Sequence, residues 1–522
     1  MAKGQQLVST RSLQGRFVSP PSSDRNRKEC LRPALNPTFF LAEETVAGLS
    51  VVAVSLTFVL ARLFPEIVDV ETVLWISAAL VVAMAVFGIC VEVVEFRWGL
   101  IFTAKTTFLA GSTAFLAGGI ISSILSSTYL DYSARDSTLT AVYFVMGTAC
   151  FLVSYKMTGE GIQTDRLRAR RLESLSNIQL WLGSLALLGL SVYGTLKWRA
   201  SAVYFLSPDA TLWWHVFDLL LPATVLLAMI LVRQNATPLQ RLIALLLLCP
   251  VGYVLVTTWS RRPLQALLLA GVVLYILYKR LGRSAQLGLC LGGLSLALPM
   301  AIVQGWYREA IKTEDLRIRY AKDYSNDITD SVAKWQLIDT FDTAAQTTHL
   351  YSSELPYLYG QSFLALLVNP IPRKIWPQKP VGFGYVLAQE IFQTSSPPTN
   401  FGPSIEGELY ANGGLLAVIL GMLVAGFTCK KYDALLLGSA KTEGAFLIYA
   451  LGLYQFFFLV RGDFLDVSYT FIMSVAPVIL IIRCLRRPRV TGEEKLANQK
   501  ATSTMGFHAR SRLVADAVEP AQ

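Results

Sequence analysis

The chain has 522 residues, is 53% hydrophobic and 16% charged, and has a mean hydropathy of +0.47. Soluble domains carry about 25% charge, so this balance excludes an ordinary soluble enzyme and indicates a polytopic membrane protein. The net charge of +10 sits largely in two tails: 1–42 holds seven Lys/Arg against two acids, and 483–522 holds eight against four. Tails of that kind suit anionic lipid at the cytoplasmic surface. No basic stripe with interleaved aromatics appears, which argues against nucleic acid as a partner.

In chain order, residues 1–42 are polar and rich in Pro and Ser, with no apolar core of a signal peptide, and read as a disordered basic cytoplasmic tail. The transmembrane domain follows at 43–485. A span needs about 20 apolar residues. Twelve stretches qualify or come close: 44–64, 72–91, 106–127, 139–155, 177–196, 212–232, 241–258, 264–279, 287–305, 413–430, 444–461 and 467–485. The fold expected is therefore all-α and polytopic, with about twelve transmembrane helices. A second basic tail closes the chain at 486–522.

Orientation follows from Lys and Arg in the short loops. With the N-terminus inside, the inside loops and their flanks hold about fifteen cations and the outside loops about six. Both termini are then cytoplasmic, and the loop 306–412 lies outside. That loop holds nine cations and twelve acids, and no cysteine. Its length marks it as functional or disordered. Val332, Trp335, Ile338, Phe341 and Ala345 recur at helical spacing, so 329–346 is expected to be an amphipathic helix packed on the membrane surface or on the spans. The apolar stretch 359–368 is too short to cross.

The seven cysteines form neither a disulfide framework nor a CxxC metal site, and no HExxH, P-loop, dinucleotide fingerprint or DxD is present. The Asp69–Glu71 pair (DVE) in the first outside loop reads as ordinary polar loop.

Cations on the outside run against the insertion bias and are the candidate ligand-binding groups. They are Arg261 and Arg262 in TTWSRRPLQ, Arg308 in QGWYREA, Arg461 in FFFLVRGDF, and Arg373 and Lys379 in NPIPRKIWPQKPVGFG. Snorkelling to the interface is the plain alternative for any one of them. Four prolines in those last sixteen residues exclude a regular helix and stiffen the loop. The planar guanidinium fork suits phosphate. A ligand with a lipid tail and a phosphate head at the outer interface meets both requirements, and Trp376 has the choice of stacking on a sugar or joining the interfacial belt. In SIEGELYANGG, Glu406 and Glu408 precede a span; one is expected to act as general base on a sugar hydroxyl, the alternative being a solvated helix start. If the segment is extended the two share a face, and if helical they diverge. Asp463 and His349 are weaker candidates, and Arg461 and Asp463 are placed to pair with each other.

The stretch GQSFLALLVNPIPRKIWPQKPVGFG, with NFGPSIEGELYANGGLLAVILG after it, resembles the signature region of the Wzy-type O-antigen polymerases, the oligosaccharide repeat-unit polymerases. The shared pattern is an apolar run, Pro372–Arg373, the Trp-Pro-x-Lys-Pro beginning at Trp376, and a Gly-Glu-x-Tyr-x-Asn from Gly407 that brings in Tyr410 and Asn412. An Arg-x10-Gly spacing of the family's outer loops occurs at Arg373 and Gly384; the corresponding Arg261 to Gly271 is one residue short. The resemblance implies a GT-C-like fold and a glycosyltransferase of the bacterial inner membrane with its large loop in the periplasm. Its donor and acceptor would be undecaprenyl-diphosphate oligosaccharides, with no cofactor and no metal. Catalytic roles would fall to Glu408, Glu406 and Arg373, and substrate binding to Arg261, Arg262, Arg308, Lys379, Trp376, Tyr410, Asn412 and Arg461. The product would be O-antigen, capsule or exopolysaccharide. A chain-length co-polymerase and a flippase are implied as partners. An O-antigen ligase and a lipid-linked oligosaccharide flippase are the alternative readings.

Overall fold

The structure is a computed structural model of the chain. It describes residues 38–63, 68–95, 101–158, 176–201, 216–233, 236–257, 262–279, 281–282, 284–289, 292, 340–369, 371, 375–392, 401–437 and 443–484. Residues 1–37 of the expected first tail, the whole second tail, the ninth expected span except 287–289 and 292, and the first part of the long loop lie outside the described residues; the end of the expected first tail, from Thr38, is helical as the start of α1.

The described residues form helices and no strands. The helices are α1 (Thr38–Leu63), α2 (Val70–Glu95), α3 (Ala104–Ser126), α4 (Ala134–Met157), α5 (Asn177–Ser201), α6 (Leu220–Val232), α7 (Pro238–Thr257), α8 (Arg262–Lys279), α9 (Thr340–His349), α10 (Gln361–Val368), α11 (Phe383–Phe392), α12 (Ser404–Leu437), α13 (Glu443–Leu459) and α14 (Phe464–Cys484). Seven of them are long and apolar enough to cross a membrane: α1 to α5, α12 and α14; α6, α7, α8 and α13 carry shorter apolar stretches. Eleven of the twelve expected spans therefore coincide with a helix. The protein is a multi-pass membrane protein.

The centre of the bundle is α4. Of its membrane-length window, 78% is buried, against 17% for α1, which turns its leucines and valines outward as a lipid-facing helix does. Around α4 stand α1, α2, α9 and α12. Gly426 of α12 permits a close approach to α4: a Cβ there would lie 2.3 Å from the Phe151 carbonyl oxygen.

One end of the bundle is locked by buried charge. Asp433 of α12 is fully buried and accepts from the Ala104 N–H at 2.7 Å, capping α3 with negative charge. Tyr449 and Tyr155 donate to the same carboxylate at 2.6 and 2.8 Å. Lys105 pairs with Glu92 of α2 at 3.4 Å, and Glu92 also accepts from Tyr155. Five helices meet there with charges paired and hydrogen-bonded, the condition under which buried charge is tolerated.

The other end is built from re-entering chain. α12 is two helices joined at Gly413 and Gly414, and Gly414 has φ +63° and ψ −155°. Essentially only glycine adopts that combination. The chain reverses there, so the arm 404–412 lies against the start of the long arm: Leu409 abuts Gly421, and Glu406, Val418 and Met422 all reach Gly147 of α4. α9 lines the same end of α4, with Thr348 bonded to Thr140 and Tyr143 donating to the Ala344 carbonyl. The expected helix 329–346 is described only from Thr340; it continues to His349 and, through one π-helical turn, to Glu354. Phe341 and Ala345 are buried against the spans, while Val332, Trp335 and Ile338 lie outside the described residues.

A Gly414→Ala substitution is expected to unseat this hairpin. The conformation alone costs a side-chain-bearing residue about 1–3 kcal/mol, and the new Cβ would stand 2.9 Å from the Tyr357 hydroxyl. The expected outcome is a lower thermal midpoint for the purified protein, with Gly413→Ala, where φ is an ordinary extended 178°, the milder of the two.

Candidate active site

Four pieces of chain converge beside the hairpin: the start of α8, the residues 382–384 that open α11, the residues 401–403, and the turn 460–463 between α13 and α14. The turn is held from several sides. Asp463 caps α14 by accepting from the Asp466 N–H at 2.7 Å, and it accepts from the Gly384 N–H at 3.2 Å. Glu408 Oε2 accepts from the Phe464 N–H at 2.7 Å. Gly402 passes so close that a Cβ would lie 2.5 Å from the Arg461 carbonyl oxygen. On the far side, the π-helical stretch Ser112–Ala117 of α3 sets the Phe115 ring beneath Arg461, whose guanidinium is 5.8 Å from the ring centroid.

Arg262 and Arg461 both lie near this turn, Arg262 over the Phe458 ring and Arg461 over the Phe115 ring that packs edge-on against it. They are close enough to repel each other electrostatically, with Asp463 and Asp218 as attracting neighbours of Arg262. Arg262 forms an ion pair with Asp466 and lies 3.8 Å over the Phe458 ring. Two of the six outside cations predicted from sequence are thus brought together. Arg261, Arg308 and Arg373 lie outside the described residues. Lys379 is placed differently: its ammonium donates to the Asn369 and Ile371 carbonyls at 2.5 and 2.8 Å, so it braces the proline loop on itself. Trp376 is 39% exposed.

Glu406 and Glu408 are on a helix, so of the two geometries expected the diverging one holds. Neither is at a solvated helix start, since the hairpin carries both inward to full burial. Glu408 faces the turn. Glu406 faces Gly147, and neither of its oxygens makes a hydrogen bond. Glu408 Oε1 is also without one. Burying such groups is costly, which marks both as held for a task. Tyr410 is 4% exposed and stacks on Tyr143 at 5.2 Å, and Asn412 ties the hairpin to α10 by donating to Ser362 and accepting from the Gly360 N–H. Both fix the arm that carries the carboxylates.

His349 has Asp136 at 3.0 Å from Nδ1 and Glu354 at 3.3 Å from Nε2. Both ring nitrogens are thus engaged, so it links α9 to the start of α4. Before α2, Asp69 accepts from the Thr72 N–H and so caps the helix; bonds from the Thr72 side chain and then from its N–H hold the Asp69 carboxyl below the usual range, and Glu71 accepts from Trp75 and Tyr129. These are the bonds of an ordinary polar loop. Among the described residues, no group of three His, Cys, Asp or Glu side chains is placed to hold a metal ion.

Sequence reasoning missed Asp466 and Asp218. The first stands at the head of a helix that was read only for its apolar length. The second is a carboxylate inside the apolar stretch 212–232, and an ionisable residue there is itself a signal.

Residues 341–488 match the family model described as O-antigen polysaccharide polymerase Wzy. This stretch belongs to the Wzy-type O-antigen polymerase family. The Wzy match runs from α9 through the end of α14, and so takes in the hairpin, both buried glutamates and the turn with Arg461. Arg262 joins the site from a helix that precedes it in the chain. Wzy polymerases act on lipid-linked oligosaccharide repeat units in membranes. No curated protein and no solved structure matches the chain.

Proposed function

We propose that the chain polymerises undecaprenyl-diphosphate-linked repeat units at the periplasmic face of the inner membrane, to give O-antigen, capsule or exopolysaccharide, as a GT-C-like glycosyltransferase. The supporting observation is that Arg262 and Arg461 stand over the adjoining rings of Phe458 and Phe115, near a turn that Glu408 anchors. In this reading the acceptor hydroxyl oxygen attacks the anomeric carbon of the donor chain. The bond from that carbon to the diphosphate breaks, and undecaprenyl diphosphate leaves with the electron pair. Arg262 and Arg461, joined by Arg373, Arg261 and Arg308 from the outside loops, stabilise the charge that develops on it. Glu408 takes the hydroxyl proton on Oε1, the oxygen not spent on Phe464.

Glu408→Gln and Arg373→Ala proteins are expected to reach the membrane at normal levels and leave glycans one repeat unit long. Electrophoresis of the extracted glycans reads this directly. Normal ladders from both would remove the proposed site. A ligase would instead strand long lipid-linked chains on deletion, and a flippase would leave single units on the cytoplasmic side.

A further inference from the structure

The helix α10 has eight residues, about 12 Å of length, and is too short to cross a bilayer. It is apolar on two sides. One side is spent on α14: Phe363 meets Phe464 edge-on at 5.0 Å, and Ala365 shares a buried cluster with Leu465 and Tyr469. The other side carries Leu364 and Leu367 and is open, Leu367 being 75% exposed. In the proline loop that follows, Ile375 is 75% exposed as well, and Trp376 is exposed beside it.

The surface of α14 identifies what covers this open side. Leu465, Tyr469, Ile472 and Leu480 recur at helical spacing and form one stripe of a membrane-length helix. Leu465 and Tyr469, 7% and 6% exposed, lie under α10, while Ile472 and Leu480, at 43% and 58%, are bare. Bare apolar side chains on a span face lipid. α10 thus takes the place of lipid over the first turns of that stripe, and its own outer side meets the same medium. The backbone of the loop suits such a setting. Its four prolines bring no N–H that needs a partner. The buried Lys379 ammonium donates to the Asn369 and Ile371 carbonyls, which are costly to place near hydrocarbon unbonded. Both ends are tied to one end of the bundle, the Gly360 N–H to Asn412 and the Gly384 N–H to Asp463, so the chain between them leaves and returns on the same side.

We propose that α10 and the proline loop form a wedge seated in the interfacial layer of one leaflet, level with the first turns of α14, with the acyl chains of the bilayer as its partner. Leu364, Leu367 and Ile375 enter the hydrocarbon, and Trp376 lies at its border, where such rings collect. Arg373 and Lys374 precede Ile375 in the sequence, and long cationic side chains keep to the headgroups. The wedge is therefore shallow, about 5–10 Å deep as for other interfacial helices. It holds the segment that leads to Gly384, and with it the turn at Asp463, at a fixed height against the membrane.

The test is nitroxide accessibility in the full chain, reconstituted in phosphatidylcholine vesicles that contain no polyprenyl lipid. Labels are attached through Leu367→Cys and Ile375→Cys. Ile472→Cys serves as the reference in lipid and Glu354→Cys, at an exposed carboxylate, as the reference in water. The unsubstituted chain has seven cysteines of its own and supplies the background to subtract. Oxygen concentrates in hydrocarbon, and a neutral nickel chelate stays in water. Access to oxygen is expected to exceed access to nickel several-fold at Leu367→Cys and Ile375→Cys, as at Ile472→Cys. Nickel access equal to that at Glu354→Cys puts the face in water and overturns the wedge. Low access to both reagents shows that protein covers the face, and overturns it too. If Leu367→Cys lowers the thermal midpoint, Ile375→Cys decides by the same criterion.

Discussion

Arg461→Ala is expected to leave the glycan at a single repeat unit in a strain whose membranes contain normal amounts of the protein. The side chain sits at the turn between α13 and α14, above the Phe115 ring and within electrostatic reach of Arg262. Removing one preorganised donor to developing negative charge costs about 2.7–4 kcal/mol, or roughly a hundredfold to a thousandfold in rate. Arg461→Lys is expected to recover only part of this, because an ammonium keeps the charge but loses the fork that meets two phosphate oxygens at once. The measurement is the rate of chain extension in membranes supplied with lipid-linked repeat units. A ladder of ordinary length from Arg461→Ala would show that the turn does not touch the diphosphate.

The second large effect is expected at the opposite end of the bundle, on stability. Asp433→Ala removes the acceptor shared by Tyr155, Tyr449 and the Ala104 N–H, beside the buried Lys105–Glu92 pair. Breaking a buried charged network from one side costs about 3–5 kcal/mol. The purified protein should unfold at a markedly lower temperature, and its level in the membrane should fall. Asp433→Asn keeps one carbonyl acceptor and should fall between the two. Such a result with chain length unchanged in the surviving protein would separate this lock from the chemistry.

The spans were legible because apolar length is a strong signal: stretches such as LIALLLLCPVGYVLV admit few other readings, and the described part of every expected span is helical apart from turn residues at 127, 218–219 and 460–461. The hairpin was not legible. Hydropathy sees SIEGELYANGG as a polar lead into a span, whereas the reversal depends on the φ and ψ of Gly414 and on Gly421 admitting Leu409. That one backbone event moves Glu406 and Glu408 from an expected helix start to the interior. Arg262 and Arg461 were selected because cations expected on the outside run against the insertion bias. The same rule selected Lys379, which is bound to its own loop, since charge alone does not reveal which carbonyls lie within reach. One pairing had no local signal: Arg262 finds a carboxylate 204 residues away at Asp466, while Asp463 also accepts from the backbone of α14 and from Gly384.

The reversal at Gly414 bears on assembly. An arm that dips and returns on one side adds nothing to the number of crossings, so the insertion machinery has no charge signal by which to seat it. It must be drawn in after its neighbours are standing. The groove that receives it is the Gly147 face of α4, synthesised more than 250 residues earlier. The carboxylates proposed for the chemistry are thus fitted to a wall made earlier in the chain, and a chain interrupted before that step would look inserted while lacking the proposed site.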